Sequence, residues 1–371
     1  MRSKLKIFIS GMCAAGLLVS VSGCFRIPGT KKYSYEDVSG KLLKEATVKE
    51  WDGAVPDGME VRYAVTRKLY TDYEGHSSDT RYEYDKAGHR NAEINVNDKY
   101  TVRVSVTYND DGTVAGKEKE TTGKVTGYHQ PDYIVSYEYD GEGRLISFSR
   151  TVIKENGNDE PEKSITELEY ENGFLVRIDD DEYPYNDTEL PYFQYVVEVS
   201  DDMNDDYFAV YKCFYDENWV LTSMEKGEKT ITYEYDDDGV LTGWTSADRW
   251  GRLAYYNAEG VFMYEIDADG EMLRRDTYNE HGDNICQEHW RDGKYASKND
   301  AAYEYDANGN KTVQNKDFWS VNSDGEERSF KAKTTYTYDE HGLLISELSE
   351  IDGRFNHMTV YAYEAILVSA D

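Results

Sequence analysis

The sequence predicts an all-β fold, an elongated, twisted antiparallel assembly of repeated β-hairpins. Three observations predict it. A short unit, Tyr-x-Tyr-[Asp/Glu/Asn]-x-x-Gly, recurs along the chain. Period-two alternation marks stretches such as Thr101-Val102-Arg103-Val104-Ser105-Val106-Thr107-Tyr108 and Val196-Val197-Glu198-Val199. The 371 residues include 34 Tyr, 11 Phe and 6 Trp, and beyond the first residues only Val38 to Val48 has helical periodicity.

At the start, Arg2, Lys4 and Lys6 precede an uncharged run from Ile7 to Val21, 15 residues long. A spanning helix needs about 20, so the run is read as a targeting segment. It closes on Val21-Ser22-Gly23-Cys24. Small residues before a cysteine resemble the lipobox of bacterial lipoprotein precursors. The resemblance implies a signal peptide of residues 1–23, lipidation of Cys24 through a thioether to diacylglycerol, and N-acylation with a palmitate-type chain. Two or three buried chains hold a protein on a membrane where one does not. The expected location is extracytoplasmic and lipid-anchored, on the cell membrane or the outer membrane. Phe25 follows Cys24, so in a cell with two membranes the aspartate signal for inner-membrane retention is missing. Residues 24–60 are expected to be a tether leading into an irregular N-terminal segment.

Cleavage before Cys24 removes three basic and no acidic side chains, leaving 38 Lys and Arg against 73 Asp and Glu, a formal charge of −35. Nucleic-acid binding draws on clustered Lys and Arg that release counterions, so nucleic acid is excluded as a partner. The acidity is read as a solvated surface that keeps a tethered protein in solution. Two thiols remain besides Cys24, Cys213 and Cys286. They are free to pair in an oxidising compartment if their Cα atoms approach within about 7 Å. Two cysteines do not make a disulfide scaffold, so stability must come from buried apolar and aromatic surface.

The repeat body, residues 61–371, carries clear copies at Tyr82-Glu83-Tyr84-Asp85 with Gly88, Tyr137-Glu138-Tyr139-Asp140 with Gly143, and Tyr233-Glu234-Tyr235-Asp236 with Gly239. Two more are Tyr303-Glu304-Tyr305-Asp306 with Gly309 and Tyr336-Thr337-Tyr338-Asp339 with Gly342. Looser copies keep the last Tyr and the Gly, as at Tyr108-Asn109 with Gly112, Tyr256-Asn257 with Gly260 and Tyr278-Asn279 with Gly282, and Tyr264-Glu265-Ile266-Asp267 with Gly270 and Tyr170-Glu171 with Gly173 are further degenerate members. Residues two apart on a strand share a face, so the paired tyrosines form an aromatic stripe with Glu or Thr opposite. The Asp or Asn accepts from backbone N–H groups just ahead, and the Gly supplies the positive φ that closes a hairpin. Two residues past the Gly the side chain is apolar in Val114, Leu145, Leu175, Leu241, Phe262, Met272 and Leu344, which returns the second strand to the core. Arg90, Asn284 and Lys311 are exceptions. Spacing varies from about 10 to over 30 residues, as suits hairpins with variable outer loops.

An acidic, proline-bearing interruption spans residues 179–206, from Asp179-Asp180-Asp181-Glu182-Tyr183-Pro184 to Asp205-Asp206. Tyr192 to Val199 reads as a strand inside it, so a single body with a long loop is expected rather than two domains.

The units resemble YD repeats of the Rhs and teneurin type, named for the Tyr-Asp pair and often continuing Gly-Arg-Leu. Tyr139-Asp140-Gly141-Glu142-Gly143-Arg144-Leu145 has that form, while the other copies lack the Arg. The resemblance runs from about Tyr82 to Tyr363, in few and divergent copies. It implies a shell of β-hairpins, which in that family sometimes encloses a toxin. The sequence here closes on a repeat without the Rhs core-terminal motif or a following effector domain, so a toxin-delivery role is not expected.

Candidate sites are few. Asn109-Asp110-Asp111-Gly112, Asp236-Asp237-Asp238-Gly239 and Asp267-Ala268-Asp269-Gly270 concentrate carboxylates, but turn chemistry accounts for them and none supplies the bidentate Glu of a calcium loop. Neither a metal nor a cofactor is expected. Trp219, Trp244, Trp250, Trp290 and Trp319 are candidate sugar platforms, with Trp244 and Trp250 singled out for ligand stacking against a default of cross-strand packing. The seven histidines are scattered, His281 and His341 fall just before turn glycines, and Cys286-Gln287-Glu288-His289 offers two ligands where zinc needs three or four. With no catalytic constellation visible, the chain is not read as an enzyme.

The expected function is that of a cell-surface lipoprotein acting as a non-catalytic binding or adhesion scaffold, held to the membrane through Cys24 and engaging an envelope protein or a glycan. The alternative is a carbohydrate-binding accessory lipoprotein of an uptake system. A glycoside-type hydrolase would require a cleft with converging acids.

Overall fold

The fold is described from a computed structural model covering residues 33–96, 100–123, 131–153, 161–200, 202–203, 207–322 and 324–369. Cys24 and the segment before it lie outside the described residues. Helix α1 (Tyr35–Leu42) opens on a capping box in which the Asp37 N–H donates to Ser34 Oγ and the Ser34 N–H to Asp37 Oδ2. A 3₁₀ turn (Leu43–Glu45) follows. The helical periodicity expected from Val38 to Val48 stops early, because Val48 pairs with Tyr363 in a parallel ladder instead. Val38 and Leu42 bury against Met358 and Val360, so this part of the N-terminal segment is docked on the sheet.

Among the described residues there are 25 strands, starting with β1 (Val48–Lys49). A first arm comprises β2 (Met59–Asp72), β3 (Ser77–Tyr84), β4 (Arg90–Val96), β5 (Tyr100–Tyr108), β6 (Val114–Gly123), β7 (Asp132–Tyr139), β8 (Leu145–Ile153), β9 (Glu162–Glu171), β10 (Phe174–Ile178) and β11 (Asp181–Glu182). A second arm begins with β12 (Tyr192–Val199), β13 (Phe208–Tyr215), β14 (Leu221–Lys226), β15 (Lys229–Tyr235), β16 (Leu241–Ala247), β17 (Leu253–Asn257) and β18 (Phe262–Ile266). It continues through β19 (Met272–Tyr278), β20 (Asn284–Arg291), β21 (Lys294–Tyr305), β22 (Lys311–Val321), β23 (Glu327–Tyr338), β24 (Leu344–Ile351) and β25 (Arg354–Ser369).

Within each arm every strand pairs antiparallel with the next, and the two arms join where β2 pairs with β25 from Met59↔Ser369 to Asp72↔His357. The run of strands from β2 to β25 therefore ends at β11 and β12, which are adjacent in sequence; Asn186, in the loop between them, bridges to Phe193 of β12. These ends meet. Tyr195, Val197, Val199, Phe208 and Val210 of the β12–β13 hairpin pack on a core of Val104, Val106, Tyr133, Val135, Phe148 and Leu175 from the first arm. Full burial of a side chain such as Leu175 contributes roughly 2 kcal/mol. The expected hairpin assembly is thus observed, with Tyr192 to Val199 as a strand inside the acidic interruption.

Each repeat folds as its chemistry predicts. In the β3–β4 turn the Asp85 N–H donates to the His89 carbonyl, the Gly88 N–H donates to the Asp85 carbonyl, and Asp85 Oδ1 accepts from Ala87 and His89. Gly88 sits at φ +87°, forming the bulge that follows a type I turn. The register shifts there, pairing Tyr84 with Arg90, and the same shift pairs Tyr139 with Leu145, Tyr235 with Leu241 and Tyr338 with Leu344. The same turn also forms at Asp72, Asp216, Asp248 and Asn322, which the tyrosine pattern does not mark. The constant is the Asx side chain; at the Asp216 turn, Trp219 takes the glycine's place at φ +58°.

The tyrosine has a second task. Between consecutive hairpins the backbone ladder stops short of the turns, as at Gly116↔Ser136 of β6 and β7. Three residues on from the last pair, Tyr139 donates its hydroxyl to the carbonyl of Val114. The same relation ties Tyr84 to Val65, Tyr108 to Arg90, Tyr235 to Leu221, Tyr303 to Asn284 and Tyr363 to Leu344.

Candidate functional site

Because alternate turns of a meander fall on the same end of the sheet, the Tyr-Asp-x-x-Gly turns of the first arm line up on one edge. Where β12 crosses that row, a cleft of about 1100 Å³ opens. One wall consists of Tyr108, Val114, Tyr139, Arg144, Leu145 and Tyr170 from the repeats; the other is β12 from Gln194 to Ser200, with Met203 beyond it. The cleft exists because the second arm folds back on the first, and Lys117 fixes that approach. Its side chain is 2% exposed, and its ammonium donates to the carbonyls of Ser200 (2.8 Å) and Asp202 (2.5 Å).

The tyrosines of this wall differ in one respect. Those at 108 and 139 spend their hydroxyls on the backbone of the neighbouring hairpin. Tyr170 occupies the equivalent place three residues after the last β8–β9 pair, Ser147↔Glu167, yet its hydroxyl has no hydrogen-bond partner among the described residues. The Arg144 guanidinium lies 4.9 Å from its ring centroid instead, a cation–π contact. Burial pushes the Tyr170 hydroxyl up to about 12, so it remains a neutral donor throughout the physiological range.

Charges around the cleft are mostly matched. His89 meets Asp85 at 3.0 Å, Arg90 meets Glu93 at 3.7 Å, and Arg144 meets Asp140 at 2.5 Å and Glu142 at 3.4 Å. Glu198 on β12 has no ion-pair partner among the described residues. The cleft thus offers aromatic faces, a free phenol and an unmatched carboxylate.

The residues singled out by sequence are not brought together. Trp244, on β16, is half-buried and stacks on Tyr256 with centroids 3.7 Å apart. Trp250 lies in the turn at the far end of the same strand, 61% exposed, between the guanidinium groups of Arg249 (4.3 Å) and Arg252 (5.2 Å). Trp219 stacks on Tyr192 at 4.9 Å. Trp290 and Trp319 flank Tyr295, with centroids 5.5 and 5.7 Å from it. Cys213 and Cys286 are free thiols, both pushed up to about 11 by burial. In the acidic turns Asp236 and Asp267 each accept two backbone N–H groups. Among the described residues no group of three or more His, Cys, Asp or Glu is arranged to hold a metal ion.

Sequence reasoning missed the cleft because it forms between arms distant in the chain. A signal was present in β12, a strand read from alternation yet flanked by acidic loops instead of repeat turns, as an edge strand would be. An ion pair on a buried carboxylate was also missed. Asp276, on β19, accepts from the Arg274 Nε (2.9 Å) and Nη2 (2.6 Å) and from Asn284 (2.9 Å). These contacts satisfy it as part of the scaffold.

No family model matches the chain, and no curated protein matches it in sequence. Among solved structures, it is similar to a TcdB2–TccC3 crystal structure at 15% identity and a TM-score of 0.29, over 80% of this chain and 20% of that one. The chain therefore spans about a fifth of that relative's length. It is also similar to a porin-like protein from Bacteroides uniformis ATCC 8492 at 9% identity and a TM-score of 0.27, over 81% of this chain and 98% of that one. At these TM-scores the chain traces diverge, and the likeness carries no statement about function.

Proposed function

We propose that the protein is a cell-envelope lipoprotein, anchored through Cys24, that works as a non-catalytic binding or adhesion scaffold. The observation that carries this reading is the cleft between β12 and the repeat tyrosines, whose free phenol and unmatched Glu198 suit binding, while Asp140 at its rim is tied up in an ion pair and a turn. Anchoring rests on the Val21-Ser22-Gly23-Cys24 sequence. Two measurements test the reading. Cys24→Ala is expected to release the protein from the membrane fraction. Pull-down of envelope proteins by the full chain is expected to retain a partner without turnover of it. Cleavage of a polysaccharide by the purified chain would overturn it.

A second reading, a carbohydrate-binding accessory lipoprotein of an uptake system, is favoured by the Trp290, Tyr295 and Trp319 row, where Tyr295 is 38% exposed. Glycan-array binding that disappears in Tyr295→Ala would select it over the first.

A further inference from the structure

We propose that the cleft takes up an extended polypeptide segment bearing a Lys or Arg, which adds to β12 as a further strand. This rests on the reading of the chain as a binding protein and names its ligand class.

The argument starts from hydrogen-bond parity. In an antiparallel pair the backbone groups of alternate residues point toward the partner and those between point away. Phe193 exchanges both its backbone hydrogen bonds with Asn186, on the side of β12 away from β13. The groups of Tyr195, Val197 and Val199 share that direction, and they have no hydrogen-bond partner among the described residues. Side chains of successive strand residues point to opposite faces, so a cavity touching all seven residues from Gln194 to Ser200 touches the strand's edge. Three outward peptide groups repeating every second residue match the backbone of another β-strand, and a sugar has no such repeat. Unpaired edges of this kind are what strand-adding peptides occupy.

Charge sets the second requirement. The cationic groups lining the cleft are already matched, while Glu198 is not, and the whole chain carries −32. A basic side chain on the incoming strand completes the site. Tyr170, with its free hydroxyl, stands on the opposite wall to meet the other face of the peptide.

The probe is a phage-displayed library of random heptapeptides selected on the full chain. The expected pool alternates apolar and polar residues, includes Lys or Arg, and binds Glu198→Lys at least tenfold more weakly. A selected peptide resynthesised with alternate N-methyl groups tests the geometry without altering the protein. Methylation in one register should abolish binding, and in the other leave it within twofold. Equal tolerance of both registers, or no retained peptide, overturns the inference, as does a pool indifferent to Glu198→Lys. If peptides fail while an envelope protein or a glycan is still retained, the binding-scaffold reading survives alone. If nothing is retained in any of these experiments, both fall.

Discussion

The Tyr139 hydroxyl on β7 donates to the Val114 carbonyl on β6 at 2.9 Å, spanning the gap where the backbone ladder between the two hairpins has stopped at Gly116↔Ser136. This relationship explains why the repeat keeps tyrosine where phenylalanine would pack equally well. Near the turns the strands of one hairpin stay paired with each other but not with those of the next, and the phenol supplies the hydrogen bond that the separated backbones of neighbouring hairpins do not make.

Tyr139→Phe is therefore expected to cost about 1 kcal/mol, since it strands a carbonyl while keeping the ring. Tyr170→Phe removes a hydroxyl that has no partner and should cost less than about 0.5 kcal/mol. Urea denaturation of both variants checks the contrast. Equal losses would show that the hydroxyl bond contributes nothing.

The turn glycines separate backbone strain from packing. At Gly239 an added Cβ meets nothing within 4 Å, so Gly239→Ala carries only the left-handed penalty at φ +77°, about 1 kcal/mol. At Gly88 the same atom falls 2.4 Å from Val368 Cγ1, and overpacking adds to the strain, for a total of about 3 kcal/mol. Thermal melts should rank Gly88→Ala clearly below Gly239→Ala.

Much of this fold is legible in the sequence, because its information is local. The half-buried stripe of Tyr82 and Tyr84, the exposed Glu83 between them and the turn at Asp85 each follow from period two and Asx chemistry. The turn at Trp219 is hidden because a stacked aromatic stands where the pattern needs glycine. The β2–β25 ladder and the packing of β12 on the first arm are not legible, since the first joins residues hundreds of positions apart and the second joins strands that are not sequence neighbours, with no motif at either. For the same reason the site was sought at Trp244 and Trp250, two conspicuous rings, rather than at Tyr170 and Glu198, which resemble many others.

Lys117 offers a test of how the arms are held together. Lys117→Met preserves the aliphatic stem but leaves the Ser200 and Asp202 carbonyls without this donor in a part-buried place. Relief of the ammonium's desolvation offsets part of this, and the net loss should be about 2 kcal/mol. Hydrogen exchange should accelerate at β12 and β13 more than at β20 to β23, which do not touch the junction. Uniform acceleration would mean that Lys117 does not pin the arms.

The buried tyrosines make alkaline pH the weak side of this fold. Burial raises Tyr139, Tyr170, Tyr215, Tyr233 and Tyr336 from the ordinary value near 10 to about 12. Each then binds its proton more tightly folded than unfolded, so between those values the unfolded chain carries fewer protons and stability falls as pH rises. Below pH 10 the contribution is fully present. Denaturation midpoints should therefore be insensitive to these groups up to pH 10 and drop progressively from 10 to 12, with tyrosinate absorbance developing together with loss of the sheet signal in circular dichroism. Ionisation of all the tyrosines near pH 10 with the sheet intact would show that the stripes are solvated instead of packed.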